Sequence, residues 1–361
     1  MDRLFSADSH VVETEDCYRD IDPKFRDRRP RAINDEAEGA IMRVPGMDFA
    51  VPAAALCRAG VPRERWLEAR RWEELNPAGH DPKARIAIQD EEGVLGEVIY
   101  PSVGMVICLH PDVEYRKACF DAYNRWLAEF CAHDPQRLLG IGMAAVATPE
   151  AGVQEIRELH AMGFKGVMFC GDAAFEDYDH PSYDPVWEAA IGLGMPINFH
   201  ILTGKDSYDM PVRGPKVIQQ IVTVRGNQNI LMMLVLGGVF ERHPDLRVIM
   251  VENDAGWLPH FSFRLDHAWE RYRWSMEMED LPRAPSTYID ECVYATFQDD
   301  TSVRHVINAV NLDHILWATD FPHGDGTYPH SREIAEEVTE GMSPEQRHAV
   351  VYGNAAALYG F

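Results

Sequence analysis

The sequence has no apolar segment long enough to cross a membrane and no leader of the secretory type. The longest apolar run, residues 230–240, is about half of the roughly 20 residues that a membrane-spanning helix needs. Residues 1–5 lead directly into a strand-like pattern and lack the basic and apolar layout of a secretory signal. We therefore expect a cytoplasmic protein with no membrane partner.

Positive charge is also scarce. The 361 residues include 34 Lys and Arg against 58 Asp and Glu, which gives a formal net charge of −24. Such a chain repels a phosphate backbone, so a broad nucleic-acid-binding surface is not expected. The seven cysteines are odd in number, scattered and never arranged as Cys-x-x-Cys, so we interpret them as reduced thiols.

Buried strand patterns alternate with helical patterns along most of the chain. Eight short apolar runs predict strands at residues 4–10, 97–101, 139–146, 166–170, 196–201, 247–253, 292–297 and 315–320. Helical patterns lie between them, some with a clear start signal such as Thr148-Pro149 or Ser343-Pro344. This alternation predicts an α/β protein with a (β/α)₈ TIM barrel.

Two features refine this fold prediction. A doubly wound sheet is the main alternative, but it usually has a Gly-rich phosphate turn after its first strand, where this chain has Asp8-Ser9-His10. Residues 17–90 do not follow the alternation and are rich in Pro, Arg, Trp and Glu. We therefore predict one domain over residues 1–361, with residues 17–90 as a lid inserted after strand 1 over the C-terminal face.

The predicted strand ends carry the residues with the most chemistry. In a TIM barrel, functional groups sit at the carboxyl ends of the strands. Strand 1 ends with Asp8 and His10, which point to the same face because they are two residues apart. The other candidates at or just beyond strand ends are Glu13, His200, Glu252, Asp320 and His323.

A single residue of this kind has an ordinary explanation, such as a hydrogen-bonded histidine or a helix-capping aspartate. Several buried imidazoles and carboxylates at one barrel mouth are different, because without a cation they would repel each other or stay unsatisfied. The pattern therefore predicts a metal centre whose ligands come from Asp8, His10, Glu13, His200, Glu252, Asp320 and His323.

At this point the sequence resembles the amidohydrolase superfamily, in particular the amidohydrolase-2 branch that includes aminocarboxymuconate-semialdehyde and resorcylate decarboxylases. The resemblance covers almost the whole chain. It rests on the motifs SADSHVVE at 6–13, PQRL at 135–138, GFKGV at 163–167, HPDLRV at 243–248, GWLP at 256–259 and WATDFPH at 317–323.

The resemblance implies metal ligands at Asp8, His10, His200 and Asp320, but two positions depart from the usual pattern. The branch commonly has His-x-His on the first strand, where this chain has Asp8 in the first place. It often has a histidine at the end of strand 6, where this chain has Glu252. Mixed histidine and carboxylate ligation suits iron or manganese at least as well as zinc.

These departures favour an oxygenase as the first functional hypothesis. Asp-x-His-x-x-Glu on strand 1 also resembles nonheme diiron monooxygenases of diterpenoid (platensimycin- or platencin-type) biosynthesis. That resemblance implies two iron ions, an electron donor, and hydroxylation of a bulky apolar carboxylic acid or its CoA thioester. The branch as a whole also implies a homodimer.

Two other functions remain open. One is a divalent-metal-dependent hydrolase or nonoxidative decarboxylase acting on a small carboxylate, with zinc or manganese bound and Glu252 or His323 as the catalytic proton-transfer group. The other is a non-catalytic barrel that keeps a metal. Lys205 and Trp257 are candidate substrate contacts, although the residues themselves favour the ordinary explanations of a solvated surface lysine and a packed wall residue. Asp325 is a candidate for orienting His323.

Overall fold

The computed structural model describes residues 3–208, 212–276, 278 and 281–361. The strands, in chain order, are β1 Leu4–His10, β2 Arg31–Asp35, β3 Gly39–Arg43, β4 Ala50–Val51, β5 Val94–Tyr100, β6 Leu138–Gly140, β7 Gly142–Ala144, β8 Val167–Phe169, β9 Ile197–His200, β10 Val248–Val251, β11 Val293–Phe297 and β12 Ile315–Trp317. All eight predicted barrel strands are present, with β6 and β7 as the two halves of one of them.

The barrel strands run parallel and close into a ring. The order β1-β5-β6 forms one part, and β7-β8-β9-β10-β11-β12 forms the other. The ring closes where Asp320 N donates to Asp8 O at 3.0 Å and His10 N donates to Phe321 O at 2.6 Å. Ile141 N donates to Ile99 O at 3.0 Å and joins the two parts on the other side. This closure confirms the TIM barrel over the doubly wound sheet.

Helices cover the outside of the barrel and connect its strands. They are α1 Ala53–Leu56, α2 Pro82–Glu92, α3 Val103–Ile107, α4 Val113–Cys131, α5 Pro149–Ala161, α6 Asp184–Gly192, α7 Lys205–Tyr208, α8 Ile218–Val222, α9 Arg225–Leu236, α10 Val239–Arg242, α11 Leu258–Tyr272, α12 Pro285–Cys292, α13 Val303–Val306, α14 Ser331–Val338, α15 Pro344–His348 and α16 Asn354–Tyr359. No helix among the described residues combines the length and the apolar character that crossing a bilayer requires.

Local sequence explains where several helices begin. The Thr148 side chain accepts a hydrogen bond from Ala151 N at the start of α5, and Ser343 forms a capping box with Gln346 at the start of α15. The helical pattern that starts at Ser343-Pro344 forms two helices and not one, because a π-helical turn at Ala349–Gly353 separates α15 from α16. A π-helical turn changes the backbone hydrogen-bond pattern and not the spacing of apolar residues, so sequence periodicity does not reveal it.

The lid insertion packs on the carboxyl end of the barrel, as predicted. It contains the antiparallel sheet β2-β3-β4 and several short helices. Its backbone is tied to the mouth where Ala59 N donates to Pro322 O at 3.0 Å and where Gly79 O accepts from Val12 N at 2.8 Å. The predicted range 17–90 extends too far, because α2 at Pro82–Glu92 already leads into barrel strand β5.

Candidate metal centre

Four barrel strands deliver acidic and imidazole side chains to one place in the mouth. Asp8 and His10 lie on β1, His200 ends β9, and Glu252 follows β10 directly. Asp320 comes three residues after the end of β12. Together with His323 they form two overlapping groups, each with ligand atoms within 4.8 Å of one another: Asp8, His10, His200 and Glu252; and His10, Glu252, Asp320 and His323.

The imidazole of His10 lies at the centre of both groups. Its Nε2 is 3.3 Å from Asp8 Oδ1 and 3.3 Å from Asp320 Oδ1. Glu252 Oε2 is further away, at 3.9 Å from His10 Nε2. On the other side, His200 Nε2 lies 3.4 Å from Glu252 Oε2 and 3.8 Å from Asp8 Oδ1. The spacing leaves these atoms facing a common point.

Two histidines face each other with unshared electron pairs. His10 Nδ1 lies 2.8 Å from the carbonyl oxygen of Pro101, and His200 Nδ1 lies 3.0 Å from that of Ile201. A carbonyl only accepts, so each Nδ1 carries a proton, and in the neutral form of each ring, the form that binds a metal, the lone pair lies on Nε2. The two Nε2 atoms are 3.2 Å apart. Two facing lone pairs repel, and a cation bound by both removes that repulsion.

The carboxyl groups of Asp8 and Asp320 lack hydrogen-bond partners. Both are fully buried, and among the described residues no hydrogen bond reaches any of their four oxygens. Burial and repulsion from Asp8 raise the pKa of Asp320 well above its ordinary value. Unsatisfied buried carboxylates are costly, whereas a divalent cation satisfies and neutralises them together. The residues therefore fit a metal ion.

His323 also has a defined proton position. The Ser102 hydroxyl donates its one hydrogen to Val11 O at 2.7 Å, so it accepts from His323 Nε2 at 2.9 Å. Burial lowers the pKa of His323 to about 3, so the ring is neutral and its Nδ1 is an acceptor. That Nδ1 lies 2.9 Å from Asp320 Oδ1, so two acceptors face each other whenever Asp320 is ionised.

Left-handed backbone turns aim two of the carboxylates. Glu252 has φ 54° and Asp320 has φ 52°, and neither is glycine. Such a conformation costs on the order of 1–3 kcal/mol and persists only where surrounding contacts hold it. Here Glu252 N donates to Thr296 Oγ1 at 2.7 Å, while Asp320 N is held by the strand closure to Asp8. Three other described non-glycine residues, Val146, Leu202 and Asp254, share this conformation, so it is not confined to the mouth carboxylates.

Depth divides the six side chains into two sets. The side chains of Asp8, His10, His200 and Asp320 are completely inaccessible to solvent. Glu252 and His323 remain 14% and 10% exposed. A small molecule entering the mouth would therefore meet Glu252 and His323 first, above the four deeper side chains.

Comparison with known proteins identifies the family. A family model described as amidohydrolase matches residues 97–361. The chain belongs to the amidohydrolase family. It is 27% identical over 298 residues to a gamma-resorcylate decarboxylase of Rhizobium radiobacter, covering 76% of this chain and 85% of that protein.

Solved structures agree on the fold. The amidohydrolase map2389c of Mycobacterium avium subsp. paratuberculosis superposes with a TM-score of 0.82 at 22% identity and covers 99% of both chains. A dihydroxybenzoic acid decarboxylase of Polaromonas sp. JS666, solved with bound manganese and 2-nitroresorcinol, gives a TM-score of 0.69 at 20% identity. It covers 100% of this chain and 97% of that one.

The comparisons contradict the diiron monooxygenase hypothesis. The relative in Rhizobium and the structural neighbour in Polaromonas are both decarboxylases, which is the activity that the second hypothesis named. The CoA-linked substrate and the electron donor depended on the oxygenase and are withdrawn with it. The replacement of histidine by carboxylate at Asp8 and Glu252 was a poor guide, because it changes the ligand types without specifying the reaction.

Glu13 does not join the metal-binding groups of this amidohydrolase. Its carboxylate accepts hydrogen bonds from Ser102 N at 3.0 Å, Val103 N at 2.8 Å and Gly104 N at 2.8 Å. These amides begin α3, so Glu13 caps that helix from a distance in sequence. Burial raises the pKa of Glu13 to about 7, against the effect of these amide donors. We no longer count it as a metal ligand.

Asp325 does not orient His323 either. Asp325 is exposed, and both ring nitrogens of His323 already face Ser102 and Asp320. The residue that does orient His323 is Ser102, which follows β5 and which sequence reasoning missed. Its only signal was its place after a strand end, in Tyr100-Pro101-Ser102.

The two candidate substrate contacts lie outside the metal-binding groups. Lys205 is exposed, and its backbone N donates to Asp172 Oδ2 at 3.0 Å. It lines a cavity of about 400 Å³ together with residues of α9, and none of the metal-binding groups lines that cavity. The indole Nε1 of Trp257 donates to Asn253 O at 2.7 Å, and its ring packs edge-on against Phe261. A substrate role for either residue stays a prediction.

Proposed function

We propose that this amidohydrolase is a divalent-metal-dependent, nonoxidative decarboxylase of a small aromatic carboxylate. One observation carries the proposal: four fully buried ligand side chains lie beneath two partly exposed groups, Glu252 and His323, that can exchange a proton. The decarboxylases that resemble this chain support the reaction class and the substrate class. The same arrangement needs no dioxygen and no electron donor.

The deep set provides the ligands for one ion. His10 and His200 offer Nε2 and Asp8 offers a carboxylate oxygen in the first group, and Asp320 of the second group adds a carboxylate oxygen 3.3 Å from the same His10 nitrogen. We propose one ion rather than the two irons first expected, because both groups depend on the same His10 nitrogen. Histidine with carboxylate suits manganese, iron or zinc, and elemental analysis of the purified protein decides among them. When bound, a divalent ion holds substrate oxygens and stabilises negative charge that develops there.

Glu252 and His323, the partly exposed outer pair, are placed to transfer the proton. In a nonoxidative decarboxylation the C–CO₂ bond breaks, CO₂ leaves, and the bonding electron pair stays on carbon until a proton arrives. Glu252 is the carboxyl group of the cluster that reaches the solvent-accessible side, so we assign its Oε atoms as the proton donor. Burial and the nearby Asp320 raise the pKa of Glu252, which favours the protonated form. His323, held by Ser102, orients the substrate beside it.

The test is an anaerobic assay on metal-loaded protein with a panel of mono- and dihydroxybenzoates. We expect CO₂ release without oxygen, and one deuterium on the vacated carbon when the reaction runs in D₂O. Glu252→Gln should keep its metal and lose turnover, while Glu336→Gln on the exposed face of α14 should behave as wild type. CO₂ release that requires oxygen, or turnover only on esters and amides, would refute the proposal.

Three broader expectations accompany this function as proposals. We propose that residues 1–361 act as one domain and that the lid insertion limits access to the outer pair. The homodimer stays a prediction, and sedimentation or light scattering of the metal-loaded protein tests it.

A further inference from the structure

Arg85 is a buried cation next to the metal-binding strand ends. It lies on α2, and its side chain is 1% exposed. Its Nε donates to Glu97 Oε1 at 2.7 Å, and this carboxylate also accepts from the Gln89 amide. Its guanidinium also stacks over the ring of Phe321 at 4.5 Å. An arginine so buried is unusual unless its charge and its donors are all used.

The remaining donors of Arg85 reach three backbone carbonyls from three parts of the chain. Nη1 donates to His10 O at 2.9 Å and to Ala78 O at 3.1 Å, and Nη2 lies 3.3 Å from Phe321 O. His10 supplies the nitrogen shared by both metal-binding groups. Phe321 follows Asp320 directly, and Ala78 belongs to the lid insertion. One side chain therefore links the first strand, the loop after the last strand and the lid.

We propose that Arg85 is a positioning residue for the metal centre. It holds the backbone of His10 and of the Asp320–Phe321 turn, and so fixes the distance between His10 Nε2 and the Asp320 carboxylate. This inference rests on the proposed metal-dependent function, but it concerns a residue that touches neither ion nor substrate. The same contacts couple the end of the lid insertion to the ligand geometry.

The contacts explain why an arginine is needed at this position. A planar guanidinium carries five donors in a rigid fork, so it can bind Glu97 and several carbonyls at once. A lysine at residue 85 would carry the charge but has three donors on one atom, and it cannot span carbonyls of different strands. His10 N also donates to Phe321 O, so loss of the fork would weaken the strand closure at the point where His10 and Asp320 meet.

The experiment compares Arg85→Lys with a matched control, Arg116→Lys. Arg116 is also a buried arginine, and it donates to the carbonyl of Cys108, away from the ligand-bearing residues. We expect Arg85→Lys to bind Mn²⁺ or Co²⁺ about 10- to 100-fold more weakly in an equilibrium titration, the range seen when groups supporting metal ligands are changed. The Co²⁺ visible spectrum should shift, and kcat should fall more than KM rises. Arg116→Lys should leave metal affinity and spectrum unchanged.

A second variant separates positioning from folding. Arg85→Met with Glu97→Gln removes the buried ion pair without leaving an unpaired charge, so it should fold even if Arg85→Lys does not. We expect the same weakened metal binding from this double variant. Equal metal affinity and spectra in wild type, Arg85→Lys and the double variant would overturn the inference. If the wild type itself bound no divalent ion, the proposed function would fail first.

Discussion

Two clusters of histidine and carboxylate in this protein differ in where their positive charge comes from. Where α6 meets α10, His243 Nε2 lies 3.0 Å from Asp184 Oδ1, and the guanidinium of Arg242 lies 3.1 Å from the same oxygen. In the barrel mouth, Asp8 and Asp320 are deeper, yet in the described part of the chain their only ion-pair partners are histidines. In the outer cluster the guanidinium of Arg242 neutralises Asp184, whereas no arginine or lysine among the described residues pairs with Asp8 or Asp320 in the mouth.

The largest expected effect comes from removing the charge of one carboxylate in the mouth. Asp320→Asn keeps the shape of the side chain but loses its charge, so the ion should be lost or badly held. We expect turnover to fall by about a thousandfold or more, because a metal supplies several kcal/mol of charge stabilisation. Elemental analysis and steady-state kinetics on the variant test this. Full metal content with wild-type turnover would show that Asp320 is no ligand.

Metal removal should destabilise the mouth and leave the outer cluster unaffected. A ligand present at about 100 times its dissociation constant adds about 2.7 kcal/mol to the free energy of unfolding. Dialysis against a chelator should therefore lower Tm by about 3–4 °C, and added Mn²⁺ or Zn²⁺ should restore it. Scanning calorimetry of the apo and reloaded protein measures the shift. An apo protein as stable as the loaded one would leave the facing lone pairs of His10 and His200 unexplained.

Ser102→Ala tests the position of one proton in the mouth, the proton on His323 Nε2. Without the hydroxyl, His323 loses the acceptor that keeps its proton on Nε2, so its Nδ1 lone pair is no longer held toward Asp320. We expect a 10- to 100-fold drop in kcat with metal content kept. Kinetics together with elemental analysis distinguish this from a lost ligand. Ser182→Ala, which changes a half-buried serine outside the mouth, should have wild-type kinetics.

The smallest effect should come from the outer cluster of Asp184, Arg242 and His243. His243→Ala removes a half-satisfied contact to an aspartate that keeps Arg242 as a partner. We expect the free energy of unfolding to fall by less than about 1 kcal/mol, as for a weak ion pair near the surface, with metal affinity unchanged. Urea denaturation and a metal titration on the same variant check both parts. Loss of metal from this variant would erase the distinction between the two clusters.

The fold could be predicted because barrel strands buried on both faces are near-continuous apolar runs, such as Val248–Val251 in β10. Helical patterns separate these strands in the sequence, and this alternation is compatible with few topologies. The boundary of the lid was less predictable, since α2 begins with Asp81 and Pro82 inside a stretch rich in charge. The π-helical turn before α16 was not predictable, because nothing in the apolar spacing marks it.

The meeting of side chains in the mouth was predictable where a residue stands at its own strand end, as for Asp8, His10 and His200, and their role as metal ligands stays a prediction. Prediction failed where a partner comes from another strand. Glu13 was predicted to be a ligand because it follows His10 by three residues in the sequence, but its carboxylate accepts hydrogen bonds from the backbone amides of residues 102–104. Asp325 looked like the partner of His323 by its nearness in sequence, but Ser102 holds that ring from 221 residues away.

The sequence by itself determined that this chain forms a barrel and which residue types stand at its strand ends, because periodicity and strand alternation are local properties. The closed barrel was needed to show which of those residues lie close enough to share an ion and which nitrogen of each histidine faces the others. It also decided which carboxylates are left without donors. Such facts depend on hydrogen bonds between distant segments, and those exist only once the barrel has closed.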